Sequence, residues 1–265
     1  MFPIKDNIPT DRFPLITVAL ILINCIVYFF LQPKSGIDFT GNSLDQASLT
    51  HYSAIPYEIT HWGKHCDLDA ASGAVACAGQ PGTRGTAEHQ LPTLATIFTA
   101  MFSHSGLLHL GGNMLFLWIF GNNVEDAMGK IRFIIFYLLG GLAALALQIV
   151  VEPNSTAPTL GASGAIAAVL GGYIVLYPRA RVLTVVFIIL FFTVIEVPAI
   201  VVLGIWIAEQ ALFGAIGLTN PTSSGGGVAY FAHIGGFAFG LLAIRLFARR
   251  QNPAYLSGGP ARLVS

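Results

Sequence analysis

Five long stretches of this chain carry no charged residue: Arg12 to Lys34, Glu88 to Glu125, Arg132 to Glu152, Glu152 to Arg179, and Glu209 to Arg245. A bilayer core of about 30 Å takes about 20 helical residues at about 1.5 Å each. Such gaps fit membrane crossings and little else. Only 10% of the residues are charged and 54% are hydrophobic, whereas soluble domains carry about 25% charge. A soluble fold could not cover its surface from this composition. A formal net charge of zero with no basic cluster leaves no footprint for nucleic acid. The expected class is an all-α polytopic membrane protein.

The gaps and the apolar stretches after them place six candidate spans at residues 13–31, 107–121, 133–151, 161–177, 197–217 and 228–246. Residues 1–12 form an N-terminal segment, 32–92 an outer loop, 93–246 the region of the other five spans, and 247–265 a tail. No A-x-A-like site follows Phe29, Phe30 and Leu31, so the first span is expected to stay uncleaved. The apolar run 182–195 has 14 residues, about 21 Å as a helix, too short to cross. It is expected to lie at the membrane surface as an interfacial or partly re-entrant segment.

Basic residues orient the spans. Lys5, Arg12, Lys130, Arg132, Arg179, Arg181, Arg245, Arg249, Arg250 and Arg262 fall on one side, ten of the 13 Lys and Arg. That side is read as cytoplasmic and holds both termini. Cys66 and Cys77 lie in the outer loop and are expected to form a disulfide there, with Cys25 an inert thiol in the first span.

Polar groups at membrane depth are costly and by default mark function. The second span opens with His104 and carries His109 and Asn113, spaced i,i+4 on one helix face. The fourth opens Gly161, Ala162, Ser163, Gly164, and the sixth carries His233, Gly235 and Gly236. Any one of them could simply bond a neighbouring helix. Together they sit a few residues inside the same end of three spans that enter from the same side, so they can share a shallow pocket. A serine with an imidazole base at neutral pH is the equipment of nucleophilic acyl transfer. Ser163 would attack, His233 would take its proton, and the Ser163 backbone N–H, Asn113 and His109 would face the oxyanion. No carboxylate lies near His233 on these spans, which makes this a dyad.

The motifs HSGLLHLGGN (104–113), GNNVEDAMG (121–129), GASG (161–164) and AHIGGFAFG (232–240) resemble those of the rhomboid intramembrane serine proteases, in the same order. The resemblance covers residues 92–246. It implies a six-transmembrane-helix rhomboid core, with Ser163 as nucleophile, His233 as general base, Asn113 and His109 around the oxyanion, and His104 near the same pocket. It also implies transmembrane protein substrates met in the lipid bilayer and no cofactor. The bacterial type is suggested, and with it an inner-membrane location. Many bacterial members place a tyrosine one turn after the serine, against which the base stacks; here that position is Ala167. The dyad also keeps 182–195 at the cytoplasmic surface, because a further crossing would bring His233 in from the wrong side.

Other features are assigned by their surroundings. Gly236 and Gly240 form a GxxxG packing face toward the fourth span, with Gly161 and Gly164 supporting the serine. Gly121, Glu125 and Gly129 are expected to organise the turn between the second and third spans. Glu209, a carboxylate inside the fifth span, is expected to face the protein interior or a hydrated cavity. Trp206 suits either a lateral gate or a lipid-facing position, and the glycine-rich loop 217–227 suits a cap over the site. Competing functions are a catalytically inactive rhomboid-like binder of membrane clients, a zinc protease and a transporter. Retention of both serine and histidine disfavours the first. The second lacks HExxH and a carboxylate ligand, and the third lacks internal repeats.

Overall fold

A computed structural model describes residues 2–32, 36, 39, 50–68, 75–79, 91–188, 191–219, 228–250 and 255. The chain is mostly helical. Helix α1 (Leu15–Ile26) runs on through a π turn (Val27–Leu31). A short α2 (Pro56–Thr60) precedes α3 (Thr93–Thr99), and α4 (Leu107–Phe116) passes through a π turn (Leu117–Gly121) into α5 (Asn122–Met128). Then come α6 (Lys130–Val151), α7 (Ser163–Leu176), α8 (Ala199–Thr219) and α9 (Tyr230–Phe247). Of these, α6, α8 and α9 are long and apolar enough to cross a membrane by length and composition. The expected spans at 13–31, 107–121 and 161–177 are shorter helical segments, and α3 is an additional helix between the outer loop and the second expected span.

The chain is not all-α. Strands β1 (Phe2–Asp6), β4 (Arg181–Ile188) and β5 (Phe191–Pro198) form an antiparallel sheet in the order β1-β4-β5. The described part of the run 182–195 is therefore two paired strands, not a helical segment. Its Val, Ile, Phe and Thr side chains lose χ1 freedom in a helix and fit a pleated sheet. Pairing also satisfies the backbone of a segment too short to cross as a helix. The N-terminal segment supplies the third strand, with a register shift between Pro3 and Lys5 where proline offers no N–H to the ladder. In the loop region, β2 (Cys66–Leu68) and β3 (Val75–Cys77) pair antiparallel, and Cys66 and Cys77 are joined by a disulfide. Glu58 accepts a hydrogen bond from the Cys66 N–H at 2.6 Å.

Helix α7 lies at the centre, with α9 and α6 packed against it. Every residue from Gly164 to Tyr173 is buried. Glu125 serves the turn that follows it through its carbonyl, which accepts the Gly129 N–H at 2.7 Å, and it also pairs with distant backbone. Its carboxylate accepts the Ile16 and Thr17 N–H groups at 3.0 and 2.7 Å and the Thr17 hydroxyl at 2.8 Å. It thus caps the start of α1, where the first N–H groups have no helical acceptor and a negative charge meets the positive end of the helix. Gly129, at φ +81°, ends α5 and lets α6 start in a new direction.

At the end of the bundle bearing the three-stranded sheet, Asp6 is buried and its Oδ2 accepts from the Tyr173 hydroxyl and from Asn123 Nδ2, both at 2.6 Å. Burial lifts its carboxyl from 3.8 to about 7, and the Tyr173 bond offsets only part of that rise. The folded chain keeps this proton where the unfolded chain releases it. Asp6 therefore favours folding fully below pH 3.8, and the contribution is lost as pH rises from there through about 7. Thermal unfolding in detergent should show this loss between acid and neutral pH, and Asp6→Asn should flatten that part of the profile.

Candidate active site

Ser163 is the first residue of α7. The loop before it is pinned by the Gly161 N–H, which donates to the Ala100 carbonyl at 2.8 Å. Gly161 has φ +119°, a conformation closed to most side chains. At the first turn of a helix, the Ser163 N–H has no helical acceptor and faces outward from the helix end. Across from it, His233 sits one turn into α9, and its Nε2 lies 2.8 Å from Ser163 Oγ. The start of α9 is held by Gln148 of α6, whose Oε1 accepts the Ala232 N–H at 3.1 Å.

Two helices with ordinary side chains between them could not bring these groups so close. A Cβ on Gly236 would run into the Gly164 carbonyl, and one on Gly240 into the Ala168 carbonyl. On the other flank, a Cβ on Gly164 would lie 2.7 Å from that of Ala144 on α6. Serine and imidazole meet because backbone packs on backbone.

His109 and Asn113, one turn apart on α4, approach from the opposite side. His109 Nδ1 accepts the Ser105 N–H at 3.4 Å and lies 2.9 Å from Ser105 Oγ. With Nδ1 an acceptor, the neutral ring carries its hydrogen on Nε2. That nitrogen points at Gly161, where a Cβ would stand only 2.6 Å away, with Asn113 Nδ2 3.6 Å from the same point. Asn113 is buried, and its Nδ2 has no hydrogen-bond partner among the described residues. Two donors without a partner among the described residues thus converge on a cavity of about 620 Å³ lined by His109, Asn113, Gly161, Ser163, Trp206 and His233. His104 does not line it. It is buried behind His109, the two rings meeting edge-on at 5.1 Å, with its backbone bracketed by the Gln32 amide. The chemistry open to this arrangement is attack by a hydroxyl on a carbonyl whose oxygen is received by N–H groups.

Comparison with known proteins decides the family. The model of the rhomboid domain matches residues 92–250, more than half of the chain. The chain belongs to the rhomboid family. It is 34% identical over 151 residues to the mitochondrial Rhomboid protein 1 of Saccharomyces cerevisiae, covering 56% of this chain and 40% of that protein. The human mitochondrial presenilin-associated rhomboid-like protein is 35% identical over 82 residues, 30% of this chain and 22% of its own length. The chloroplastic Rhomboid-like protein 11 of Arabidopsis thaliana is 37% identical over 78 residues, 29% of this chain and 28% of its own. The chain thus spans less than half of each of these relatives. Their names are organellar, so they make it a rhomboid membrane protein without assigning the bacterial type or a bacterial inner membrane.

In this rhomboid, sequence reasoning missed the contribution of α8. Trp206 packs its ring 5.6 Å from that of His233, and Gln210 Oε1 lies 2.7 Å from His233 Nδ1. Of the two expected settings for Glu209, the protein interior or a hydrated cavity, the first does not hold: it is exposed on α8 while Gln210 beside it is buried. The i,i+4 spacing of Trp206 and Gln210 was the available signal, but α8 is apolar all round and gives no hint of which face turns inward. Residues 220–227 of the proposed cap lie outside the described residues.

The α7–α9 contact carries a direct prediction. Gly240→Leu should force the helices apart and cost about 1–3 kcal/mol or more in stability. Labelling by a serine-directed fluorophosphonate in detergent should then fall far more than the shift in melting temperature accounts for.

Proposed function

We propose that this rhomboid is an intramembrane serine endopeptidase that cleaves transmembrane segments of other membrane proteins near their outer ends. The reading rests on one observation above all: Ser163 Oγ stands 2.8 Å from His233 Nε2 where unpaired N–H donors converge. In the proposed reaction Ser163 Oγ bonds to the substrate carbonyl carbon as its proton passes to His233 Nε2. The carbonyl oxygen takes the negative charge and is received by the Ser163 N–H, His109 Nε2–H and Asn113 Nδ2–H. Collapse breaks the C–N bond, and His233 gives its proton to the leaving amine. Water then repeats the sequence on the acyl-enzyme, returning Ser163 to its hydroxyl form.

The proposed topology has six crossings, with α3 and the β2–β3 hairpin on the outer side and the three-stranded sheet with both termini on the cytoplasmic side. The bias of basic residues supports it. A substrate helix keeps its carbonyls in hydrogen bonds, so small or helix-breaking residues near the cleavage point would ease the local unwinding that attack requires. The inactive client-binding alternative has less support, because nothing in the dyad is missing.

Reconstituted with a single-span model substrate, the wild type should cleave, and Ser163→Ala and His233→Ala should not. Asn113→Ala should lower kcat by roughly 10²–10³ if its amide carries one oxyanion donor. Cleavage at the wild-type rate by Ser163→Ala would sink the serine-protease reading.

A further inference from the structure

His233 is held from α8, not from the helix that bears the nucleophile. One turn after Ser163, α7 carries Ala167, fully buried, with neither a ring nor a hydrogen-bonding group to offer the base. The imidazole instead meets two α8 side chains one turn apart: the indole of Trp206 at 5.6 Å and the amide of Gln210, whose Oε1 lies 2.7 Å from Nδ1. Gln210 is only 8% exposed, so water does not compete freely for that bond. Its Nε2 donates to the Trp206 carbonyl within α8 at 3.4 Å. This second bond sets the amide, with nitrogen toward the helix carbonyl and oxygen toward the imidazole.

The orientation matters because an amide oxygen can only accept. His233 Nδ1 must then carry the ring hydrogen, which leaves a lone pair on Nε2, the nitrogen facing Ser163 Oγ. A reversed amide would present N–H groups to Nδ1 and drive the hydrogen onto Nε2. That tautomer cannot take the serine proton.

We propose that Gln210 is the positioning residue of the dyad, holding His233 in its reactive tautomer and, together with Trp206, fixing the plane of its ring. The role is that of the aspartate in a Ser-His-Asp triad, performed without charge. A buried carboxylate would need its own compensation at membrane depth, and a neutral amide supplies the acceptor without that cost. The inference rests on Ser163 and His233 acting as proposed above.

The test uses the full chain in proteoliposomes as wild type, Ser163→Ala, Gln210→Leu and Gln210→Glu. Two quantities are read: kcat and KM on a single-span substrate, and the rate of Ser163 labelling by a small fluorophosphonate, which needs an activated serine but no transmembrane substrate. Gln210→Leu should lower kcat by about 10- to 100-fold with KM nearly unchanged, and labelling should slow by the same factor. Gln210→Glu, which keeps an acceptor at Nδ1, should recover most of both. Should Gln210→Leu fail to fold, Gln210→Asn, one methylene too short for the bond, carries the same expectation. Labelling of Gln210→Leu at the wild-type rate would overturn the proposal, as would a raised KM with kcat unchanged, which would place Gln210 in substrate entry. In either case, an inert Ser163→Ala would leave the protease reading standing. An active Ser163→Ala would remove both.

Discussion

The α7–α9 contact is the constraint on which the site depends. In a bilayer, lipid tails are as apolar as leucine, so helices associate through close packing and hydrogen bonds rather than through escape from water. Gly236 and Gly240 let α9 lie directly on the carbonyls of Gly164 and Ala168. Gly164 adjoins Ser163 in the chain, so the packing surface and the proposed nucleophile share one stretch of backbone. The distance from Ser163 to His233 is therefore a property of helix packing before it is a property of two side chains. The same contact explains why α7 is so poor in large residues around its serine.

Several buried polar groups are put to use inside the fold. Glu125 caps α1, Gln148 holds the start of α9, Gln32 brackets His104, and Asp6 ties β1 to α7 through Tyr173. Each closes a backbone or side-chain group that lipid could not satisfy. Asn113 Nδ2, like both ring nitrogens of His104 behind it, is buried with no partner among the described residues. An unmet donor beside a serine is an expense that a site for a developing oxyanion would justify.

Much of this was legible in the sequence, for reasons of cost. Charges are so unfavourable in lipid that their absence outlines the helices, and the expense of His109, Asn113, Ser163 and His233 at that depth gave them away. The unread parts share a different cause. Residues 182–195 are apolar without a clear period, and such a run fits strand or helix until its partner is known; the partner, β1, lay in a segment taken for a simple N-terminus. Glu209 and Gln210 adjoin on a helix apolar all round, where pattern cannot choose the inward face, and the charge drew attention from the amide. Helix boundaries within the bundle shifted by a few residues, since the caps that set them come from distant side chains such as Glu125.

The helix that bears Ser163 and the helix that flanks His233 stand in unequal relation to the surroundings. The helix of Ser163 is buried along almost its whole length, whereas α8 turns Ile200, Val201, Ile205, Leu212, Phe213, Ile216 and Leu218 outward. At 21 residues, α8 is about 32 Å long, close to the hydrocarbon thickness of a bilayer. A thinner or thicker membrane is met by tilt of such a helix, and a tilt of α8 would move Gln210 and Trp206 relative to His233, with Ser163 on the buried α7. Membrane thickness would then reach the proposed reaction through the tautomer of His233, making the lipid environment itself a setting of that chemistry.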